Sequence, residues 1–153
     1  MIINDYQIIS ELGKGGFATT YLAKNQAGEK FAIKKIILDK YDFSLINSVE
    51  KEVKILKQIS HTKIPKFVDF FKIDNSDNIE LYIVQEYINA SNLNQIIRKG
   101  KHYNQNEAIN ITIQVLKILE YLHNFLPQII HRDIKPSNIL VDQDNIVYLI
   151  DFG

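Results

Sequence analysis

The 153-residue chain contains no cysteine, and its formal net charge is zero because 18 basic residues balance 18 acidic ones. Without cysteine the chain has no disulfides, no thiolate zinc sites and no cysteine nucleophile. Without a basic excess it lacks the electrostatic footprint of a nucleic-acid-binding protein. No apolar run approaches the ~20 residues that span a bilayer, and the N-terminus does not resemble a signal peptide. We therefore expect a cytoplasmic globular protein that has no membrane segment and binds no nucleic acid.

The order of the apolar patterns predicts an α+β fold that begins with strands and becomes helical. The strand patterns cover residues 6–12, 19–24, 30–38, 66–73 and 80–87. A helix pattern covers about 44–58, between the third and the fourth of these strands. The pattern becomes helical from residue 91, and 104–125 is predicted as a long helix that is apolar over most of its circumference. Short apolar runs then flank a polar loop.

That polar loop reads HRDIKPSN at residues 131–138, and DFG follows at residues 151–153. Together they supply the carboxylates of Asp133 and Asp151, the ammonium of Lys135 and the amide of Asn138. Phosphoryl transfer needs a group that binds the hydroxyl proton, a cation for the phosphate and oxygen ligands for Mg²⁺. An exposed polar turn would explain each residue singly, but it would not explain the combination.

A glycine-rich segment, LGKGGFATTY at residues 12–21, lies between two predicted strands. Glycine lets a backbone approach phosphate oxygens closely because it has no Cβ. A plain glycine-rich hairpin is the alternative. A Rossmann dinucleotide site is disfavoured because a strand, and not a helix, follows the loop.

A lysine and a glutamate in the first half of the chain are predicted to pair. Strand alternation places Ala32 and Lys34 on one face, where the lysine could reach a phosphate or simply face solvent. In the helix predicted next, Glu52 falls within the apolar stripe, whereas Glu50 lies off it. A buried carboxylate needs a cationic partner, so we expect Lys34 to contact Glu52. The alternative is that the Glu52 side chain extends past the edge of the stripe.

Along the chain the motifs occur in the order glycine loop, Lys34, Glu52, hinge, HRDIKPSN and DFG. In that order they resemble the motifs of the eukaryotic-type protein kinases. The resemblance covers essentially residues 6–153. It implies a bilobal kinase-like fold, with a complete N-lobe of five antiparallel strands plus helix C, and the hinge, at 1–88. The beginning of a helical C-lobe would occupy 89–153. HRDIKP resembles the serine/threonine branch, and GGFATTYLA resembles bacterial, particularly cyanobacterial, members. Small-molecule and lipid kinases are the alternative, although they typically vary the HRDIKPSN loop.

The resemblance also implies roles for individual residues. Asp133 would accept or orient the substrate hydroxyl proton and Lys135 would contact the γ-phosphate, while Lys34, paired with Glu52, would hold the α- and β-phosphates. The ATP-binding set would comprise Leu12, Gly13, Gly15, Ala18, Thr20, Ala32, Lys34, Gln85, Glu86, Ile88 and Leu140. The Mg²⁺ ligands would be Asn138 and Asp151. The stacked residues that align the lobes would be His131, Phe152, Leu56 and Phe67.

The chain departs from the family pattern in three ways. Ala18 replaces the third glycine of the loop, and Thr20 stands where a valine usually contacts adenine. The activation loop and substrate platform of the family would follow Gly153, so the resemblance implies a truncated kinase domain, a gene fragment or one piece of something longer, with the apolar sides of 104–125 left uncovered. The first hypothesis is an enzyme that transfers phosphate from Mg·ATP to protein serine or threonine. The second is a nucleotide-binding or interaction module without transferase activity, and the third is a poorly folded fragment.

Overall fold

The computed structural model describes residues 1–152, so Gly153 of the predicted DFG sequence lies outside the described residues. The strands are β1 Ile2–Ile3, β2 Tyr6–Lys14, β3 Ala18–Lys24, β4 Lys30–Asp39, β5 Phe67–Asp74, β6 Asn78–Glu86, β7 Ser91–Asn92, β8 Ile139–Val141 and β9 Val147–Leu149. The helices are α1 Phe43–Leu56, α2 Leu93–Arg98 and α3 Gln105–His123, with a 3₁₀ turn at Pro136–Asn138. The chain forms two compact units, and each is described separately below.

The first unit comprises Met1–Ile59 and Lys66–Ile88 and is built on an antiparallel sheet. Its strand order is β1-β2-β3-β4-β6-β5. The sheet therefore has six strands and not the five expected. The additional strand, β1, forms because the chain turns at Asn4, which has a φ of 51°, and pairs Ile3 with Tyr6. A two-residue strand is too short to give an alternating sequence pattern, and for this reason it was not predicted.

The two faces of this sheet have different partners. One face carries a cluster of buried side chains contributed by the sheet itself: Ile3, Tyr6, Ala23, Ile33, Tyr82 and Val84. The other face carries Leu81 and Ile83, which are almost fully buried, and the side chains that contact α1. Helix α1 begins where the Asp42 side chain accepts a hydrogen bond from the Leu45 backbone N–H. This cap satisfies a backbone donor that the helix itself leaves unpaired.

The second unit comprises residues 60–65 together with the chain from Asn89 onward. Its longest helix, α3, begins with a capping box in which Asn104 and Glu107 exchange hydrogen bonds with each other's backbone N–H groups. The helix buries Val115, Ile118 and Leu122. As expected for this segment, other apolar side chains of α3 are exposed: Ile109, Ile113 and Leu116. Strands β7, β8 and β9 form a small antiparallel sheet in that order.

The segment Ser60–Pro65 belongs to the second unit although its neighbours in sequence belong to the first. The Tyr121 hydroxyl accepts a hydrogen bond from the Ser60 N–H and donates one to the Ser60 carbonyl oxygen, both at 3.0 Å. The Lys63 carbonyl accepts from the Leu149 N–H at 3.0 Å, which adds this segment to the end of β9. The second unit is therefore discontinuous in sequence, in contrast to the continuous ranges 1–88 and 89–153 expected.

No helix within residues 1–152 combines the length and the apolar character needed to cross a membrane.

Candidate active site

The glycine-rich loop connects β2 and β3 as a tight hairpin. The Gly15 N–H donates a 2.7 Å hydrogen bond to the Ala18 carbonyl, and Gly13 lies opposite Thr20 in the strand pairing. A Cβ added to Gly13 or Gly16 would meet no atom of the described residues within 4 Å. Packing within the described chain therefore does not explain these two glycines. Close approach of a ligand to the loop backbone would explain them.

Several predicted site residues share one face of the sheet because their strands pair in register. Thr20 lies opposite Lys34, and Ala32 lies opposite Gln85. Directly opposed residues in an antiparallel pair project to the same face, and so do residues two positions apart along a strand. Thr20, Ala32, Lys34 and Gln85 thus lie on the face that α1 also contacts, whereas the side chain of Glu86, opposite Phe31, projects to the other face.

Lys34 and Glu52 form the ion pair predicted from the sequence. Lys34 Nζ lies 3.1 Å from Glu52 Oε1, and the two side chains are 20% and 17% exposed. Partial burial keeps water from screening the pair fully, and the helix holds its carboxylate beside the strand lysine. The pairing is confirmed, whereas the part that it plays in catalysis remains a prediction.

The predicted hinge residues lie at the end of β6. Gln85 and Glu86 are in the strand, and Ile88 follows it closely. The Glu86 N–H donates a 2.9 Å hydrogen bond to the Lys66 carbonyl. Because this N–H is already hydrogen-bonded within the unit, the backbone group of Glu86 that is left to contact an adenine edge is its carbonyl. Leu12, at the edge of the glycine loop, is 37% exposed.

In the second unit, the side chains of Lys135 and Asn138 converge on the carboxylate of Asp133. Asp133 Oδ2 accepts from Lys135 Nζ at 2.7 Å and from Asn138 Nδ2 at 2.9 Å. The same Asn138 nitrogen also donates to the Asp133 backbone carbonyl at 2.9 Å. Asn138 is only 4% exposed, so its amide is fixed by packing as well as by hydrogen bonds. The loop therefore has a defined arrangement and is not a freely moving polar turn.

This arrangement keeps Asp133 ionised. The hydrogen bond from Lys135 lowers the pKa of the Asp133 carboxyl below its usual range, and the one from Asn138 acts in the same direction. A carboxylate with a lowered pKa is a weak base toward a hydroxyl group. Such a carboxylate is better suited to accept a hydrogen bond from a hydroxyl group and orient it than to deprotonate that hydroxyl before the reaction.

His131 is a buried connector between the two segments that carry Asp133 and Asp151. It is 1% exposed. Its Nδ1 accepts from the Asp133 N–H at 3.3 Å, so Nε2 carries the proton and donates to the Ile150 carbonyl at 3.1 Å. Its ring packs against Phe152 with centroids 4.7 Å apart, which confirms the contact between these two predicted stacked residues. A single imidazole thereby fixes both segments.

Two residues of this site have left-handed backbone conformations. Arg132 has a φ of 67° and Asp151 a φ of 56°. Arg132 is the strained residue of the two, because residues other than glycine, asparagine and aspartate rarely adopt this region and such strain persists only where the surroundings enforce it. Here the enforcing contacts are those of His131, which holds the residue after Arg132 and the residue before Asp151. The sequence gives no signal of either conformation.

Asn138 and Asp151 lie at the same end of the β8–β9 hairpin. The Ile150 N–H donates to the Asn138 carbonyl at 3.0 Å, which places the residue before Asp151 beside Asn138. Residues 1–152 contain no group of three His, Asp or Glu side chains that could hold a metal by themselves. An amide and a carboxylate oxygen nevertheless fit Mg²⁺, which keeps several waters and commonly binds one or two side chains plus substrate phosphates. Leu140, predicted to contact the nucleotide, lies nearby in β8.

The burial of His131 makes the stability of the chain depend on pH. Burial lowers the pKa of His131 below 6.5, although the Ile150 carbonyl and the carboxylates of Asp133 and Asp151 oppose the shift. His61 has a pKa lowered by burial and by Lys63, so it acts in the same direction. Between the folded and unfolded pKa values the unfolded chain binds more protons. Stability is therefore fully present above about pH 6.5 and falls as the pH drops below it.

We expect the free energy of unfolding in urea to be lower at pH 5.5 than at pH 7.5. His131→Phe should reduce this difference because it removes one of the two histidines whose pKa is lowered by burial. The variant should nevertheless be less stable than the wild type at both pH values. His102→Gln, which replaces an exposed histidine, is the matched control. An undiminished difference in His131→Phe would show that this imidazole is not responsible.

The comparisons with known proteins agree with the fold. The family model described as the protein kinase domain matches residues 6–153. The chain therefore belongs to the protein kinase domain family, and the kinase-like fold expected from the sequence is confirmed.

Similar proteins are serine/threonine kinases by name, including cyanobacterial ones. Serine/threonine-protein kinase D of Synechocystis is 36% identical over 163 residues, which cover 99% of this chain and 30% of that protein. Serine/threonine-protein kinase B of the same organism is 33% identical over 97% of this chain and 26% of its own length. The probable serine/threonine protein kinase IRE of Arabidopsis thaliana is 37% identical over 99% of this chain and 13% of its own length. The chain thus spans less than a third of each of these relatives.

Proposed function

We propose that the chain carries the ATP-binding and catalytic residues of a serine/threonine protein kinase. The reaction is transfer of the γ-phosphate of Mg·ATP to a serine or threonine hydroxyl of a protein. The observation that carries the proposal is the arrangement at Asp133, whose carboxylate is shared by the Lys135 ammonium and the Asn138 amide. Names of the relatives support the serine/threonine class.

In this proposal the roles of the individual residues follow from the family resemblance. The glycine loop and Lys34 bind the phosphates, and Glu52 holds the lysine in place. Asp133 accepts the hydrogen bond of the substrate hydroxyl and orients its oxygen toward the γ-phosphorus. The ammonium of Lys135 has three N–H donors, so it can contact a phosphate oxygen while it remains near Asp133. Asn138 and Asp151 would hold Mg²⁺, which neutralises charge on the phosphates.

The proposal is tested first by nucleotide binding. Purified wild-type chain should bind ATP in the presence of Mg²⁺ in a calorimetric titration. Lys34→Met should weaken that affinity by about 10- to 100-fold, since a charged hydrogen bond to phosphate contributes about 1.5–3 kcal/mol. Lys30→Met is the matched control, because Lys30 is an exposed lysine of the same strand. Equal affinities for wild type and Lys34→Met would contradict the role given to Lys34.

Transfer itself is tested with ATP labelled at the γ-phosphate and generic protein substrates. Transfer of label that is lost in Lys34→Met supports the kinase. Specific Mg·ATP binding without any transfer would instead support the second hypothesis, a nucleotide-binding module.

A further inference from the structure

Helix α1 is attached to the sheet by a second ion pair besides the one that contains Lys34. Glu50, two residues before Glu52, accepts a hydrogen bond from the ammonium of Lys72 in β5. The Glu50 and Lys72 side chains are 34% and 40% exposed, about twice as much as those of the Lys34–Glu52 pair. We call Lys34–Glu52 the inner ion pair and Glu50–Lys72 the outer ion pair.

The two ion pairs connect the helix to different strands of one sheet face. Lys34 in β4 and Phe70 in β5 both lie opposite Ile83 of β6, and Lys72 projects to the same face as Phe70. Strand β6 therefore separates the two lysines, and its neighbours on either side are about 10 Å apart. The Lys72 ammonium also lies 5.8 Å from the centre of the Phe70 ring, which helps to fix its position on this face.

The two carboxylates lie on opposite sides of the centre of the helix's apolar stripe. This centre is formed by Val49, Val53 and Leu56, of which the last two are buried. At about 100° per residue, Glu50 lies about 90° to one side of the stripe's centre and Glu52 about 70° to the other side. Rolling the helix about its axis would thus lengthen one ion pair or the other. Two attachments on opposite sides resist such rolling, which a single attachment does not.

Apolar packing alone restrains the first half of the helix weakly. Phe43 and Leu45 in the first turn are 68% and 41% exposed, and the buried residues lie toward the C-terminal end. Val53, the neighbour of Glu52, is buried, so packing fixes this end of the helix, and the charged contacts restrain the rotation of the helix about its axis.

We propose that Glu50 and Lys72 are positioning residues that hold α1 in the orientation in which Glu52 meets Lys34. The proposal rests on the proposed function, because Lys34 is there the phosphate-binding group. An exposed ion pair contributes little to global stability, so the expected effect is on the position of the helix.

The test that does not depend on nucleotide is the reactivity of the Lys34 amine. Wild type, Glu50→Lys, Lys72→Glu and the exchanged double variant Glu50→Lys/Lys72→Glu are treated with a limiting amine-acylating reagent. Labelling at Lys34 and at Lys35 is followed by mass spectrometry. Lys35 is the internal reference, since it projects to the opposite face and pairs with Glu80 at 2.8 Å. Lys51→Glu is the matched control, as Lys51 is exposed on the side of α1 away from the stripe.

Each single variant should raise the labelling rate at Lys34 by about two- to fivefold and leave that at Lys35 unchanged. The double variant should recover only part of the wild-type rate. The exchanged charges again attract each other, but the lysine introduced by Glu50→Lys lies one helical turn from Lys54 and is repelled by it. A general loss of structure would instead raise labelling at both lysines alike. Unchanged Lys34 labelling in both single variants, or no recovery in the double variant, would overturn the proposal.

Calorimetric titration with Mg·ATP separates this proposal from the function on which it rests. If the wild type binds Mg·ATP and the variants show unchanged Lys34 labelling, the outer pair has no positioning role and the nucleotide site stands. If labelling changes as expected and the wild type binds no Mg·ATP, the outer pair positions the helix and the proposed function fails.

Discussion

Replacing Asp133 by asparagine is expected to lower the rate constant of phosphoryl transfer by roughly 10²–10⁴-fold, the usual contribution of a positioned acid–base group. The variant keeps an oxygen that can accept the Asn138 amide but loses the negative charge that attracts Lys135 and the substrate hydroxyl. Its nucleotide affinity should change little, because Asp133 is not among the proposed nucleotide contacts. A large effect on the rate with a small effect on binding is thus the expected pattern.

The measurement is a single-turnover assay in a chimaeric protein, in which residues 1–153 replace the matching segment of the Synechocystis kinase D. Asp144→Asn is the matched control, since it makes the same chemical change at an exposed residue of the second unit. If Asp133→Asn transferred phosphate as fast as the unsubstituted chimaera, Asp133 would not have the proposed role.

Replacing His131 by alanine is expected to lower the free energy of unfolding of the second unit by about 3–5 kcal/mol, as for other buried aromatic side chains. The substitution removes the ring from beside Phe152. It also leaves the Asp133 N–H and the Ile150 carbonyl without their imidazole partner. Because these two groups adjoin the left-handed residues Arg132 and Asp151, both segments should lose their defined conformation together.

Urea unfolding measures the loss in the free energy of unfolding. Amide hydrogen exchange at residues 131–133 and 150–152 measures whether the two segments lose their defined conformation. His102→Ala, at an exposed histidine, should change neither. His131→Phe keeps the contact with Phe152 and should lose less stability than His131→Ala. Protected amides at both segments in the alanine variant would mean that something other than His131 holds them.

The sequence predicts the strands and helices that have a long repeating pattern. The α1 and α3 patterns at 44–58 and 104–125 correspond to Phe43–Leu56 and Gln105–His123 in the structure. The ends differ by one or two residues, because caps and not periodicity decide where a helix stops. The spacing of Asn104 and Glu107 is itself a signal for the start of α3, and it is independent of the apolar periodicity.

The candidate site is predictable where the sequence places a charged residue in an apolar pattern, because a buried charge needs a partner of opposite charge. Glu52 needed a cation because it lay within an apolar stripe, and Lys34 is that cation. Glu50 lies off the apolar stripe, so the sequence does not indicate that it needs a partner. Its partner Lys72 is 22 residues away, in a strand whose neighbours the sequence does not specify. The outer ion pair follows only from the strand order, which depends on long-range pairing.

The discontinuity of the second unit has a consequence for dissecting the protein. A piece that began at Asn89 would lack Ser60, the hydrogen-bond partner of Tyr121, and Lys63, which accepts from the Leu149 N–H. A piece that ended at Ile88 would carry Ser60–Pro65 without the residues that it contacts in the second unit. No single peptide bond therefore separates the two units cleanly. Expression of the two halves as separate polypeptides would therefore have to supply this six-residue segment to the second half.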